Sequence, residues 1–164
     1  MMEGRGVTGT IRPASMADVP RMVELSEQKR SEYEQHQPVF WRKAADAAEK
    51  QTAYISRLVA RDDILAFVYE TDTTIDGFII GVLMSAPPVF DPGGLTCLVD
   101  DFVVLHAPDW QTIGVTLLHA AADAAKERGA VQVVAVCGRH DEPKRAMLAA
   151  HGCSVASEWW VGAT

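Results

Sequence analysis

The feature that most constrains the fold is a strand, a short break and a long helix in direct succession within residues 96–129. Residues 96–104 are mostly apolar and include two adjacent acids, Asp100 and Asp101. The segment Ala-Pro-Asp-Trp at 107–110 ends this strand, and from Gln111 apolar residues recur with the helical period. Because the first N–H groups of a helix have no acceptor within it, this arrangement favours an anion-binding site at the helix start.

Periodicity and turn residues predict the other elements. Ser15 and Asp18 have the spacing of a capping box at a helix start. In chain order we predict a strand at 10–14, a helix at 15–30, a break at 31–39, a helix at 40–60, strands at 64–70 and 78–84, the strand and helix of 96–129, a strand at 131–137, a helix at 141–151 and a strand at 153–161. The polar connection 72–77 is too short for a crossover helix, so its strands are antiparallel. The sequence therefore predicts an α/β fold whose mixed sheet carries helices on both faces.

Composition limits the class of protein and its partners. Residues 1–8 are glycine-containing and expected to be flexible, which leaves one domain over 9–164. Hydrophobic residues make up 48% of the chain and charged residues 23%, as in soluble globular proteins. A net charge of −7 disfavours nucleic acid as a partner, and no apolar run is long enough to span a membrane. The chain start lacks a secretory apolar segment and the three cysteines are an odd number, so we expect a cytoplasmic protein without a disulfide framework.

The order of elements and several motifs together resemble the GCN5-related N-acetyltransferase (GNAT) family over nearly the whole chain, from Ile11 to about Val161. Ile-Arg-Pro-Ala at 11–14, followed by Asp18, looks like the first strand and helix start of that family. Val-Asp-Asp-Phe-Val-Val at 99–104 is similar to its fourth strand. The resemblance implies a mostly antiparallel sheet that splays between its fourth and fifth strands, and acetyl-CoA as the acyl donor with no metal.

The family's pyrophosphate loop has the form R/Q-x-x-G-x-G/A followed by x-x-L-L, and it can be aligned here in two registers. One places Asp109, Thr112 and Gly114 at the motif positions, and the other places Gln111, Gly114 and Thr116 there. We prefer the first register, which aligns both leucines and keeps the usual loop length. Backbone N–H groups hold the pyrophosphate in this family, so the resemblance implies that the cofactor-binding loop comprises Asp109, Trp110, Gln111, Thr112, Ile113, Gly114 and Val115. A packing role for Gly114 and an N-cap role for Asp109 are the structural alternatives.

The resemblance also implies where the pantetheine arm lies. Between the splayed strands it would meet the backbone of Phe102, Val103 and Val104. Counting back from Gly152, Asp141 takes the place of the family's Asn and is a further cofactor-binding residue. Leu148 takes the place of its Tyr, which commonly protonates the departing sulfur, so that group is lacking here. Ser154, Cys153 or a water could replace it.

Acetyl transfer to an amine needs a base, because only the neutral amine attacks. Asp100 is the predicted catalytic base, directly or through water, on a strand face shared with Phe102 and Val104. Asp101 would face the other way and have a structural role. His140, at the turn after the fifth strand, is a second catalytic candidate. A metal site formed by Cys137, His140, His151 and Cys153 is disfavoured, because the family topology spreads these residues over a helix and two strands.

Aromatic and acidic residues near the expected acceptor site predict a primary amine, small or peptidic, as the second substrate. The candidate acceptor-binding residues are Tyr33, Trp41, Phe90 and Glu158. Trp159 and Trp160 alternate on the predicted last strand, so at least one is expected to be a core or dimer contact, and a homodimer is possible.

Direct transfer in a ternary complex is the leading hypothesis. The alternative is a coenzyme A-binding sensor or interaction domain with little or no turnover, which the residues at 109, 112 and 148 favour. A third reading is an α/β nucleotide binder of another family.

Overall fold

The computed structural model describes residues 8–164, so the segment expected to be flexible lies outside it apart from Thr8. Five strands and four α-helices follow one another along this part of the chain, with 3₁₀ turns at Met16–Asp18 and Ala107–Gln111. Their bounds are β1 Gly9–Pro13, α1 Val19–His36, α2 Ala47–Val59, β2 Ile64–Thr71, β3 Ile75–Met84, β4 Leu95–Val104, α3 Ile113–Glu127, β5 Ala130–Ala135 and α4 Glu142–Ala150. None of the helices within 8–164 is long and apolar enough to cross a membrane.

The five strands form one sheet in the order β1-β2-β3-β4-β5. Neighbours among the first four strands are antiparallel, and β5 is parallel to β4. Pairing of β4 with β5 ends at Val99, whose carbonyl accepts the Val136 N–H at 2.9 Å, whereas β3 stays paired with β4 as far as Val104. The mixed sheet and the splay between the fourth and fifth strands are therefore confirmed.

A β-bulge interrupts the pairing of β3 with β4. Ile79 lies opposite Phe102 and Gly81 lies opposite Val99, so Ile80 faces two residues, Asp100 and Asp101. An extra residue in one strand reverses the alternation of side chains beyond it. Both acids therefore lie on one face of the sheet.

Two hydrophobic clusters, one on each face, hold the helices against the sheet. One joins β2, β3 and β4 to α3 and α4 and includes Val99, Phe102, Trp110, Leu117 and Met147. The other joins the sheet to α1 and α2 and includes Met22, Leu25, Ile55, Phe78 and Val103. Val99 and Phe102 share a cluster although they are three residues apart, as the bulge requires.

The start of α1 is fixed by an ionic network. The capping box predicted from Ser15 and Asp18 is present, with the Ser15 N–H donating to Asp18 Oδ2 at 2.7 Å. Arg12 of β1 pairs with Asp18 at 2.7 Å and with Glu70 of β2 at 2.9 Å. Hydrogen bonding from Arg12 lowers the pKa of Asp18 to about 2. These bonds tie α1 to the first two strands.

Two predicted helix boundaries are wrong. The first helix continues to His36 rather than ending at residue 30, and the second begins at Ala47 rather than at residue 40. Pro38 disfavours helical geometry at the residue before it, and Gln37 has φ −145° and ψ 86°. Residues 37–46 therefore form the connection between α1 and α2.

The predicted last strand, 153–161, is also wrong. The Cys153 N–H bonds to the Leu148 carbonyl at the end of α4, and residues 153–164 then run without regular secondary structure. Alternating side chains form a strand only where a neighbour supplies hydrogen bonds, and the sheet ends at β5. Trp159 and Trp160 are 83% and 90% exposed, so neither is a core residue, and a dimer contact stays a prediction.

Candidate active site

A cavity of about 350 Å³ lies between the first two helices and the bulged part of β4, and we call it the central cavity. Its walls come from α1, the 37–46 connection and α2, and its floor from β4, Val136 and α4. The lining residues are Ser26, Lys29, Arg30, Tyr33, Phe40, Trp41, Arg42, Lys43, Ala44, Ala47, Gln51, Asp100, Asp101, Phe102, Val103, Val136 and Lys144.

Asp100 and Asp101, the acid pair, both line the central cavity. Asp100 was expected to share a face with Phe102 and Val104, with Asp101 pointing away. That expectation is wrong, since Phe102 and Val104 belong to the cluster on the opposite face, against α3. The bulge accounts for the difference, because regular alternation would have separated the two acids.

The two acids differ in their surroundings. Asp100 is exposed, whereas Asp101 is partly buried. Burial, followed by the charge of Asp100, raises the pKa of Asp101 to about 6. The Gln51 amide donates to Asp101 Oδ1 at 3.5 Å, a long hydrogen bond. A carboxylate with this pKa is a stronger base than an ordinary Asp and is still ionised at neutral pH.

Lys144 was not identified from the sequence, although it is only 3% exposed and lies at the floor of the cavity. Its Nζ donates to the Phe102 carbonyl at 3.1 Å and lies 5.3 Å and 5.5 Å from the ring centroids of Phe102 and Trp110. Burial lowers the pKa of Lys144. The available signal was its place four residues before Leu148, on the inner face of α4.

Tyr33 and Asp141, two of the predicted site residues, contact each other. The Tyr33 hydroxyl donates to Asp141 Oδ2 at 2.7 Å and accepts the Gly138 N–H at 3.1 Å. Asp141 is 5% exposed, with Lys29 Nζ at 3.9 Å. The pKa of Tyr33 is raised, chiefly by burial and then by the charge of Asp141. This network connects α1 to the start of α4.

The remaining predicted site residues are scattered. His140 lies with its ring centroid 5.5 Å from that of His36 and lines a second cavity of about 150 Å³, which also contacts Tyr33. Trp41 lines the central cavity with Tyr33. Phe90 is 70% exposed and outside both cavities. Glu158 is in the C-terminal segment, where it pairs with Arg139 at 3.3 Å.

The predicted pyrophosphate loop forms a 3₁₀ turn that leads into α3. Trp110 is buried, with its ring 4.9 Å from that of Phe102, so its side chain belongs to the core. A Cβ on Gly114 would come within 2.7 Å of Trp110 Cε3, which shows that this glycine has a packing role. The N-cap of α3 is Thr112 rather than Asp109. The first N–H groups of α3, from Ile113 onward, have no acceptor inside the helix and remain suited to an anion.

Cys137, His140, His151 and Cys153 do not gather into a metal site. His151 lies beside His119, with ring centroids 5.4 Å apart. Across residues 8–164 no three His, Cys, Asp or Glu side chains are grouped so that they could hold a metal ion. All three cysteines are free thiols.

Comparison with solved structures identifies the fold. A predicted acetyltransferase from Clostridium acetobutylicum, crystallised with acetyl-CoA, superposes with a TM-score of 0.74 at 16% identity, covering 95% of this chain and 96% of that one. An aminoglycoside N-acetyltransferase in complex with CoA gives 0.68 at 14% identity, covering 99% of each chain. A transcriptional regulator from Bacillus halodurans C-125 gives 0.70 at 16% identity, covering 96% of this chain and all of that one.

The chain therefore has the fold of the GNAT acetyltransferases, as its sequence predicted. Searches with family models and among curated sequences found no match. At these identities the likeness defines the fold, and the activity has to be argued from the site itself.

Proposed function

We propose that this protein transfers an acetyl group from acetyl-CoA to a primary amine by direct transfer in a ternary complex. The observation that carries the proposal is the bulge in β4, which turns two carboxylates into a cavity beside the opening between β4 and β5. The acid pair supplies a base, and the open strand edge supplies a place for an extended donor.

The backbone fits the pantetheine arm of the donor. Among the described residues, β4 has no β5 partner beyond Val99, so its edge can pair with an extended ligand as a strand would. The Phe102 carbonyl already accepts a hydrogen bond from Lys144, so the arm has to share or displace that bond. The N-terminus of α3 would hold the pyrophosphate.

The acid pair would remove the proton that the amine must lose. The neutral nitrogen attacks the thioester carbon, and a carboxylate of the pair takes the proton. The carbon–sulfur bond breaks with its electrons going to sulfur. Asp100 is the base predicted from the sequence, and the raised pKa of Asp101 makes it the second candidate. Leu148 cannot protonate the thiolate, but a thiol with a reference pKa of about 8.5 leaves without that help.

Release of CoA thiol measured with a panel of amines tests the proposal. We expect turnover in the wild type and a loss of about 10²–10⁴-fold when the catalytic base is replaced, in Asp100→Asn or Asp101→Asn. Asp123→Asn, which removes an exposed acid of α3, is the matched control and should keep full activity. Equal activity in all three variants would contradict a role for the acid pair.

The second candidate function is a coenzyme A-binding sensor with little turnover. Leu148 in place of a hydroxyl-bearing residue favours it, as does the transcriptional regulator that shares this fold. Tight CoA binding without thiol release above that of Asp100→Ala would support the sensor. A rise in melting temperature with ATP or NAD but not with CoA would support a nucleotide binder instead. The free thiols fit the cytoplasmic location that we propose.

A further inference from the structure

Cationic side chains outnumber carboxylates in the lining of the central cavity, although the chain as a whole is acidic. The only carboxylates among the lining residues are the acid pair on β4. Five cationic side chains face them, from α1, the 37–46 connection and α4: Lys29, Arg30, Arg42, Lys43 and Lys144. The acids lie on the floor, and four of the five cations lie on the walls.

Three of these cations are paired with carboxylates that do not line the cavity. Lys29 pairs with Glu32 at 2.9 Å, Arg30 pairs with Glu27, and Lys43 lies 3.6 Å from Glu27. The charge of these three side chains is therefore partly neutralised by carboxylates outside the cavity.

The other two cations have no carboxylate partner among the described residues. Arg42 is exposed, and its side chain makes no hydrogen bond or ion pair within 8–164. Lys144 is buried and bonds only to a backbone carbonyl and two ring faces. In addition, Ser26 is among the lining residues, although its Oγ is itself buried and has no hydrogen-bond partner among the described residues. An arginine that has no carboxylate partner, in a cavity lined by further cations, favours an anionic ligand, because guanidinium groups form strong hydrogen bonds with carboxylate and phosphate oxygens.

We propose that the acceptor is a small zwitterion, a primary amine that also carries a carboxylate or phosphate group. The amine lies at the acid pair, and the anionic group is held on the cation-lined wall by Arg42. A volume of about 350 Å³ is that of a small-molecule site. The assignment rests on the proposed acetyl transfer and narrows the predicted primary amine to a small one that also carries an anionic group.

Pairs of acceptors that differ only in the anionic group provide the test. We would compare 2-aminoethyl phosphate with ethanolamine and β-alanine with its amide, with putrescine as the dicationic acceptor, at two ionic strengths. The anionic member of at least one pair should have a kcat/KM about tenfold or more above that of its neutral partner. The phosphate and carboxylate arms show which anion the wall accepts.

Arg42→Gln should lower kcat/KM for the anionic acceptors about tenfold and leave the neutral acceptors and the KM for acetyl-CoA within twofold. Arg57→Gln removes an exposed arginine of α2 that does not line the cavity, and it should change none of these values. Preference for a neutral acceptor or putrescine would overturn the assignment, as would an equal loss for both members of a pair.

Calorimetric binding of the same acceptors to the CoA-loaded protein separates this inference from the proposed activity. In one outcome, 2-aminoethyl phosphate or β-alanine binds, binds more weakly to Arg42→Gln, and causes no thiol release. This outcome would refute acetyl transfer and support the anion site. Turnover of neutral amines with no effect of Arg42→Gln would keep acetyl transfer and refute the anion site. If the protein neither binds nor acetylates any of the anionic amines, the anion site is refuted as well.

Discussion

At the scale of single residues, the site depends on two ionisable groups whose surroundings shift their titration in ways the sequence does not show. Asp101 is held in a partly buried position beside Asp100, and Lys144 is buried at the floor of the cavity against β4 and two aromatic rings. Asp100 was identified as a candidate from its place in a strand of family-like pattern. Lys144 was missed because a lysine in an amphipathic helix is ordinarily solvent-exposed.

Replacing Asp101 with Asn should change the pH dependence of stability. Folding raises the pKa of Asp101 from 3.8 to about 6, so the folded state binds this proton more tightly than the unfolded state. The Asp101 contribution therefore becomes less favourable as pH rises from about 4 to about 6, and Asp101→Asn removes that penalty. We expect the variant to be about 1–3 kcal/mol more stable at pH 7 and near the wild type at pH 4.

Urea unfolding at several pH values measures this difference, and Asp123→Asn again serves as the control. If Asp101 is the base, activity also rises through pH 6 in the wild type, and this limb is absent from the residual activity of Asp101→Asn. A variant that is less stable than the wild type at pH 7 would contradict the pKa shift.

At the scale of elements, the strands and helices that carry strong hydrophobic periodicity were predicted well and their ends were not. The strand and helix of 96–129 are present as β4 and α3, and their order gave the fold class. The bulge was missed, since the residues after the two acids, Phe102, Val103 and Val104, are all apolar, so the hydrophobic pattern does not show which of them lie on which face. The strand predicted at 153–161 is absent for a different reason. Its side chains alternate in the sequence, but a strand also needs a neighbouring strand to pair with, which the pattern does not show.

A substitution of Gly114, at the start of α3, tests whether the predicted pyrophosphate loop binds CoA. An added Cβ would lie 2.7 Å from a ring atom of Trp110, and that ring is fixed in the core. We expect Gly114→Ala to destabilise the fold by about 1–3 kcal/mol, despite the higher helix propensity of Ala, and to weaken CoA binding by moving the first turn. Thermal unfolding and calorimetry measure both effects. Asp123→Asn, at an exposed position farther along α3, should leave CoA binding unchanged.

At the scale of the whole molecule, the layers on either side of the sheet are linked across the opening between β4 and β5. Tyr33 of α1 contacts Gly138 and Asp141, which lead into α4. Both Tyr33 and Asp141 were predicted as site residues from the family pattern, whereas their contact was not, because it joins positions 108 residues apart. Long-range pairs of this kind have no local signature.

Removing the Tyr33 hydroxyl should therefore weaken the molecule at this link. In Tyr33→Phe, Asp141 stays buried and loses its 2.7 Å hydrogen bond, and the Gly138 N–H loses its acceptor. We expect a loss of about 1–3 kcal/mol in the free energy of unfolding. Tyr54→Phe, at a tyrosine that is 41% exposed, should change stability by less than about 0.5 kcal/mol. Equal effects of the two substitutions in urea unfolding would contradict the link.

The bulge in β4 also has a consequence for how such a site can be gained or lost. With Asp100 deleted, the strand would read Val99, Asp101, Phe102 and would alternate regularly, leaving every core residue on its present face. The second carboxylate therefore takes no core position, and a single-codon insertion or deletion adds or removes it without repacking either layer. The presence of the second acid thus depends on the length of β4. One insertion or deletion of a codon can change it while every codon for a core residue stays the same.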